Sequence, residues 1–450
     1  MTKHKPYSTY KPSGVEWLGD VPKHWRTWRI SHAFGQIGSG TTPDTKNLYF
    51  YSGDIPWVTT SELRENVITD TSEKLTEDAL REHSALSLYP PGTLLIAMYG
   101  ATIGRLGILG ITACTNQACC ALAKPRELDV KFCFYWLWMR RNEIVLLSSG
   151  GGQPNINQQK IYSIRIPAPP LQEQRAIAHF LDREITRIDT LITKKREMID
   201  LLERKRAEIV TEAVTKGCDR NVSMKNSGIS WIGEIPKHWL KIPIKYVCLS
   251  VRDGTHNPPA KVEGEYRLLS ARNIQDGEFI LRDDDRLMDA DAFAELQRSY
   301  TVCKGDVVVA VVGATTGKSA VVGDLEKISV QRSIAILKPN HSMINSNYLN
   351  FWISSPALQH EIALTYSKYA AQGGIYLEDL ANLTCVLPSL KEQTQILSLL
   401  DKSFTPLLKA EQKLLEQIDE LQKYRQALIT AAVTGKIDVR EEIKSDRGVA

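Results

Sequence analysis

Two stretches of the chain carry apolar residues at heptad spacing. Beyond Pro169-Pro170, which enforces extended backbone, Leu181, Ile185, Ile188, Ile192, Ile199, Leu202, Ile209 and Ala213 fall on one stripe, interrupted by Lys195 and Arg206. An offset of 219 positions finds a second stripe, Leu400, Phe404, Leu407, Leu414, Ile418, Leu421, Leu428 and Ala432. In it Leu414 replaces the Lys195 interruption, Arg425 repeats Arg206 and Glu411 is a new interruption. A straight helix drifts off a strict seven-residue repeat, so a sustained register predicts a coiled-coil seam. A lone stripe would expose several side chains, the larger worth about 1.5 to 3 kcal/mol each when buried. The two helices are therefore expected to pair, antiparallel and within the chain, with a globular part at either end. A helix over 171–216 would run about 70 Å, near two turns of duplex DNA at about 34 to 36 Å each. Helices packed on their own domains, or a seam between two chains, remain the alternatives.

Elsewhere the pattern is one of short β-branched and aromatic runs cut by Gly and Pro. Residues 55–60, 92–98, 307–312 and 319–323 read as strands, and helical spacing over 73–87, 130–147 and 345–364 reads as helices. This pattern is also written twice. Residues 13–25, S-G-V-E-W-L-G-D-V-P-K-H-W, match residues 227–239, S-G-I-S-W-I-G-E-I-P-K-H-W, at eight of thirteen positions. The run Gly100-Ala-Thr-Ile-Gly104 returns as Gly313-Ala-Thr-Thr-Gly317, and Leu171-x-Glu173-Gln174 as Leu390-x-Glu392-Gln393. The fold class is therefore α+β: two mixed domains and two long helices in an approximately two-fold internal repeat.

Length and composition place the 450 residues among globular chains of two or three domains. A formal charge of +4 permits nucleic-acid binding through local patches without demanding it. No signal peptide or membrane span is read. The eight cysteines, lacking a C-x-x-C pair, read as buried free thiols of a cytosolic protein. The nine histidines suggest no metal cluster. His24 and His238, inside the repeated P-K-H-W, suit a docking or turn role, and Trp17, Trp25, Trp231 and Trp239 suit anchors.

Catalytic motifs fail on inspection. Gly313 to Ser319 lacks the P-loop spacing, with three residues between its glycines instead of four, and reads as a tight turn, as does its sister at 100–104. Asn257-Pro258-Pro259 is followed by Ala260 where a methyltransferase of this motif type needs an aromatic. The triplets Asp129-Val-Lys131 and Glu203-Arg-Lys205 are too short to signify a nuclease. The polar loops are the stronger signal, since Arg and Asn read base edges while Ser, Thr and Lys take phosphates. In the first half the candidates are Ser39, Thr41, Thr42, Lys46, Tyr49, Thr59, Thr60, Arg105, Gln153 and Asn155. In the second they are Arg252, Thr255, His256, Asn257, Arg272, Asn273, Lys318, Lys368 and Gln372.

With these residues in view, the chain resembles the specificity subunit of a Type I restriction-modification enzyme. The resemblance is carried by W-L-G-D-V-P-K-H-W at 17–25, I-G-S-G-T-T-P at 37–43, I-P-W-V at 55–58, G-A-T-I-G at 100–104, Q-P-N-I-N at 153–157 and P-P-L-x-E-Q at 169–174. In the second copy it is carried by D-G-T-H at 253–256, A-R-N-I at 271–274 and P-S-L-x-E-Q at 388–393. The second copy lacks the S-G-T-T-P and I-P-W-V runs. The resemblance implies target recognition domains at 26–168 and 240–387 and helices at 169–217 and 388–436 that space them. Repeated segments stand at 1–25 and 218–239, and a charged tail at 437–450. It further implies a non-catalytic, cytoplasmic subunit that binds a bipartite double-stranded DNA site and two methyltransferase subunits holding S-adenosylmethionine. Motor-endonuclease subunits using ATP and Mg²⁺ complete the implied complex. A stand-alone DNA-binding protein or coiled-coil scaffold is the alternative, and a self-contained methyltransferase a further one.

Overall fold

The computed structural model describes residues 4–148, 155–275, 277–368 and 373–440. The chain divides into two compact units, Met1–Lys195 with Glu416–Ala450, and Arg196–Leu415. Both heptad stretches are single helices, Leu171–Lys216 and Leu390–Val433. Each passes from one unit into the other, so each unit contains a length of both.

Within each unit the two lengths pack together. In the first, Arg425 reaches Asp189 at 2.6 Å and Lys195 donates to Gln417 at 2.6 Å, so rising numbers on one helix meet falling numbers on the other. In the second, Val210, Ala213 and Val214 share a core with Ile396, Leu400 and Phe404. Every seam residue named from the sequence is buried or half-buried. The pairing is antiparallel and internal to the chain, which answers the alternatives of separate core helices and an interchain seam. The polar interruptions are accommodated rather than merely tolerated. Lys195 keeps a hydrogen bond, Arg206 lies 4.9 Å from the Phe404 ring, and Arg425 adds a contact 5.5 Å from the Trp138 ring to its ion pair. Pro406 stands inside the second helix without ending it, although it removes one backbone donor.

The globular part of the first unit holds a five-stranded sheet ordered Phe34–Ser39, Cys119–Pro125, Leu94–Ala97, Leu106–Leu109, Asn66–Ile68. Beside it lies a three-stranded sheet ordered Cys114–Thr115, Ile55–Val58, Glu73–Leu75. The second unit repeats the plan. Its six-stranded sheet is ordered Cys248–Asp253, Ile334–Pro339, Val307–Ala310, Ser319–Val321, Glu278–Phe279, Ile274–Gln275, with a three-stranded sheet ordered Arg286–Met288, Tyr266–Leu269, Ile328–Val330. Central strands such as Leu94–Ala97 and Val307–Ala310 are buried throughout, as continuous apolar runs require.

Three helix assignments need correction. The span 73–87 contains a strand, Glu73–Leu75, and only a six-residue helix, Glu77–Glu82, because the Thr76 side chain caps Ala79 and starts the helix late. The span 130–147 is two helices, Val130–Met139 and Arg141–Leu146, broken where Arg140 leaves helical geometry. The span 345–364 is likewise Ser346–Ser354 and Pro356–Lys368, since Pro356 forces Ser355 to extended backbone. The cysteines also need one correction. Six are buried, and burial pushes the Cys114, Cys120 and Cys248 thiols up to about 12, but Cys218 and Cys303 are exposed. Among the described residues no helix is long and apolar enough to cross a membrane.

Candidate nucleic-acid interface

Strand register decides where the polar loops meet. In the first unit Ser39 and Ala97 flank the start of the strand Cys119–Pro125, opposite Cys120 and Cys119, while Ile96 lies opposite Leu106. The segments after Ser39 and Ala97, and those before Leu106 and Cys119, therefore leave the same end of the large sheet. Parallel pairing of Thr115 with Val58 brings residues 59–62 and 116–118 to that end as well. Tyr99 bridges to Asn155 and ties the following segment onto the Gly100 turn. Loops far apart in sequence thus converge on one edge, as binding loops on a rigid scaffold do.

The second unit does the same with different residues. Asp253 lies opposite Ala335, Ala310 opposite Ile334 and Val309 opposite Ser319, while Leu269 pairs with Val330. Residues 254–257, 270–273, 311–318 and 331–333 emerge together, with bridges from Thr255 to Gln331 and from Val312 to Gly374. Both Gly-Ala-Thr-x-Gly runs are turns between strands. Gly100, Gly104, Gly313 and Gly317 all adopt positive φ, and the Thr102 and Thr316 hydroxyls close their own turns on Tyr99 and Gly313 carbonyls.

The individual candidates fare differently. Lys46, His256, Asn257 and Lys318 are exposed, and Thr41, Thr59, Thr60 and Thr255 are half-buried at the loop end. Ser39 accepts from Gln158, and Thr42 donates to Gln117. The Tyr49 hydroxyl is bound to Asp78, and Arg252 to the Ser299 carbonyl. Arg105 lies 3.9 Å from Glu65, and Arg272 is held by Asp284 and Asp285. Asn155 is exposed beside the turn. Asn273 leaves the candidate set. It is fully buried, its amide donates to Ile280 and Asp285, and its oxygen accepts from the Ser270 amide, so no group is left to offer. Gln153 and Gln372 lie outside the described residues, and Lys368 ends the helix Pro356–Lys368. Sequence reading missed Tyr99 and Gln117 in the first unit and Arg332 in the second, which register brings to the loop edge of their own unit, and Arg141, which packs on Gly104 of the Gly100 turn. The polar breaks at 116–118 and 331–333, each between two apolar strands, were the available signal.

The repeated motifs turn out to serve the framework. Trp25 donates its indole N–H to Glu173 at 2.8 Å, His24 pairs with the other carboxylate oxygen at 2.8 Å, and Tyr7 donates to Glu173 at 2.6 Å. In the second unit Trp239 and His238 meet Glu392 at 3.0 and 2.7 Å, and Ser389 supplies both its N–H and its hydroxyl. Burial would raise the Glu392 carboxyl, but hydrogen bonds from Trp239, Ser389 and His238 hold it down at about 2. The neighbouring Gln174 accepts from Asp129 N–H, and Gln393 from Asn345 N–H, each residue being the N-cap of the next helix. Thus P-K-H-W docks on the Glu of L-x-E-Q, and the Gln fixes the globular domain to the same helix start. Trp25 and Trp239 are buried anchors, whereas Trp17 and Trp231 are partly exposed, the first against Arg140 and Trp136 and the second against His360. Each long helix then ends at a glycine of positive φ packed on its unit's tryptophan, Gly217 on Trp239 and Gly435 on Trp25 and Pro22. Among the described residues no cluster of His, Cys, Asp and Glu is arranged to hold a metal.

Comparison with known proteins agrees with this organisation. The family described as Type I restriction modification DNA specificity domain matches residues 22–201 and 263–420. The Type I restriction enzyme EcoBI specificity subunit of Escherichia coli is 23% identical over 333 residues, covering 72% of this chain and 69% of its own. The Type I restriction enzyme MjaVIII specificity subunit of Methanocaldococcus jannaschii is 23% identical over 425 residues, covering 93% and 94%. A chain from a solved structure on complex assembly and conformational transition of the type I R-M system has a similar fold. Its TM-score is 0.69 at 18% identity, covering 93% of this chain and 99% of that one.

Proposed function

The chain belongs to the family of Type I restriction modification DNA specificity domains, and from that premise we propose that it is the sequence-reading subunit of a Type I restriction-modification complex. Its domains at 26–168 and 240–387 each read one half of a split duplex target through their loop ends. The paired helices set the interval between the halves and dock two adenine-methyltransferase subunits. The matched family is a specificity domain rather than a catalytic one, so the chemistry belongs to partners. Methyltransferase subunits would carry S-adenosylmethionine, and motor-endonuclease subunits would use ATP and Mg²⁺, in the cytoplasm.

The observation that supports this best is a common framework bearing unlike loops. The same strand ends carry Ser39, Thr41, Thr42, Gln117 and Arg105 in one unit and His256, Asn257, Arg272, Arg332 and Lys318 in the other. Different donors on equivalent edges suit two different base sequences. The test is to map methylated adenines across the host genome with and without this chain. The proposal expects a two-part motif that vanishes with the chain, and an unchanged methylation pattern would refute it.

A further inference from the structure

One corner of the first unit's loop end holds more arginine than acid. Arg105, closing the Gly100 turn, and Arg141, the first residue of Arg141–Leu146, both face Glu65, at 3.9 Å and 3.7 Å. Both separations are too long for hydrogen bonds, and Glu65 Oε1 is buried with no hydrogen-bond partner. The backbone enforces the meeting, since a Cβ on Gly104 would stand 3.1 Å from Arg141 Cγ. The preceding residue, Arg140, is turned to the Trp17 ring at 3.1 Å, is 8% exposed and leaves Nε and Nη1 unpartnered. Glu143 is the acid that acts on it electrostatically. Two guanidinium groups therefore face one carboxylate.

Glu65 also adopts φ 56°, a left-handed backbone that a non-glycine residue disfavours. A carboxylate on a disfavoured bend, bonded to neither of its two arginines, contributes little to stability. Among the described residues the second unit shows no such cluster: Lys318 follows Gly317, and Gln359 packs on that glycine where Arg141 packs on Gly104.

We infer that Arg105 and Arg141 form a seat for one backbone phosphate of the duplex, with Glu65 as its internal stand-in. Glu65 keeps the two guanidinium groups converged while DNA is absent, and a phosphate replaces it by taking the charge-assisted hydrogen bonds that Glu65 does not make. The side chains of Arg105 and Arg141 are 39% and 31% exposed, so each has a path outward. Contacts to phosphate position a protein without choosing bases, so the seat serves register on the first half-site. This inference rests on the loop end being the DNA-binding edge.

The test is equilibrium binding of the full chain to duplex DNA over a series of salt concentrations. Wild type is compared with Arg105→Gln/Arg141→Gln, with Glu65→Gly, and with Lys124→Gln/Lys304→Gln, which removes two exposed cations at the opposite ends of the sheets. The arginine pair should lower the slope of log K against log salt by about 1, the value for one phosphate, well beyond the lysine pair, and weaken every target sequence alike. Glu65→Gly suits the positive φ and should tighten binding several-fold, with Glu65→Gln as the second variant should the first fail to fold. An arginine pair that matches the lysine pair or alters base preference overturns the inference, as does loss of the carboxylate that leaves binding unchanged or weaker. A wild-type chain without salt-dependent duplex affinity overturns the DNA-binding reading as well, whereas wild-type binding that the variants share overturns the seat alone.

Discussion

Several donors converge on each of the two glutamates at the helix starts. Glu392 is held at about 2, below its usual 4.5, by donors that exist only in the folded chain. A depressed folded value means that its stabilisation is fully present above about 4.5 and is lost as pH falls toward about 2. Glu392→Gln should therefore lower the melting temperature at neutral pH, and the gap from wild type should close on acidification, as seen by calorimetry across pH. Gly435→Ala should cost about 1 to 3 kcal/mol, because φ is 70° and the added Cβ would lie 2.4 Å from Pro22; chemical denaturation measures it. The repeats P-K-H-W and L-x-E-Q were visible in the sequence as repeats. That one binds the other was not, since His24 and Glu173 stand 149 positions apart. Asn273 shows the converse limit. Its residue type suits adenine, yet it serves equally well as a buried cap, and only the fold tells the two uses apart.

At the scale of elements, the long helices were legible because period and register persist over many turns. The shorter ones were not, for local reasons: a threonine cap delays one, and a proline divides another. The seam makes two predictions. Ile188→Glu would bury an unpaired charge at a position 4% exposed and should destabilise by about 3 to 5 kcal/mol, measurable as a shifted denaturation midpoint. Arg425→Ala removes both the Asp189 ion pair and the Trp138 contact. Because Arg425 is partly exposed, the expected loss is about 1 kcal/mol. An equal loss from Arg425→Ala in an Asp189→Ala background would place the energy in the aromatic contact instead.

In the whole molecule, two unlike loop edges are carried on one paired-helix framework. The sequence disclosed the duplication and the two loop sets, but not that residues 39–42, 59–62, 98–105 and 116–118 share an edge, because only strand register creates it. Removing one heptad from each long helix should change the spacer accepted between half-sites while leaving both half-sites unaltered. The most direct test is selection from a randomised duplex library by the assembled complex, using wild type and a His256→Ala/Arg332→Ala variant. Wild type should yield a bipartite motif, and the variant should lose sequence information from one half alone. A single contiguous motif, or equal loss from both halves, would contradict this reading.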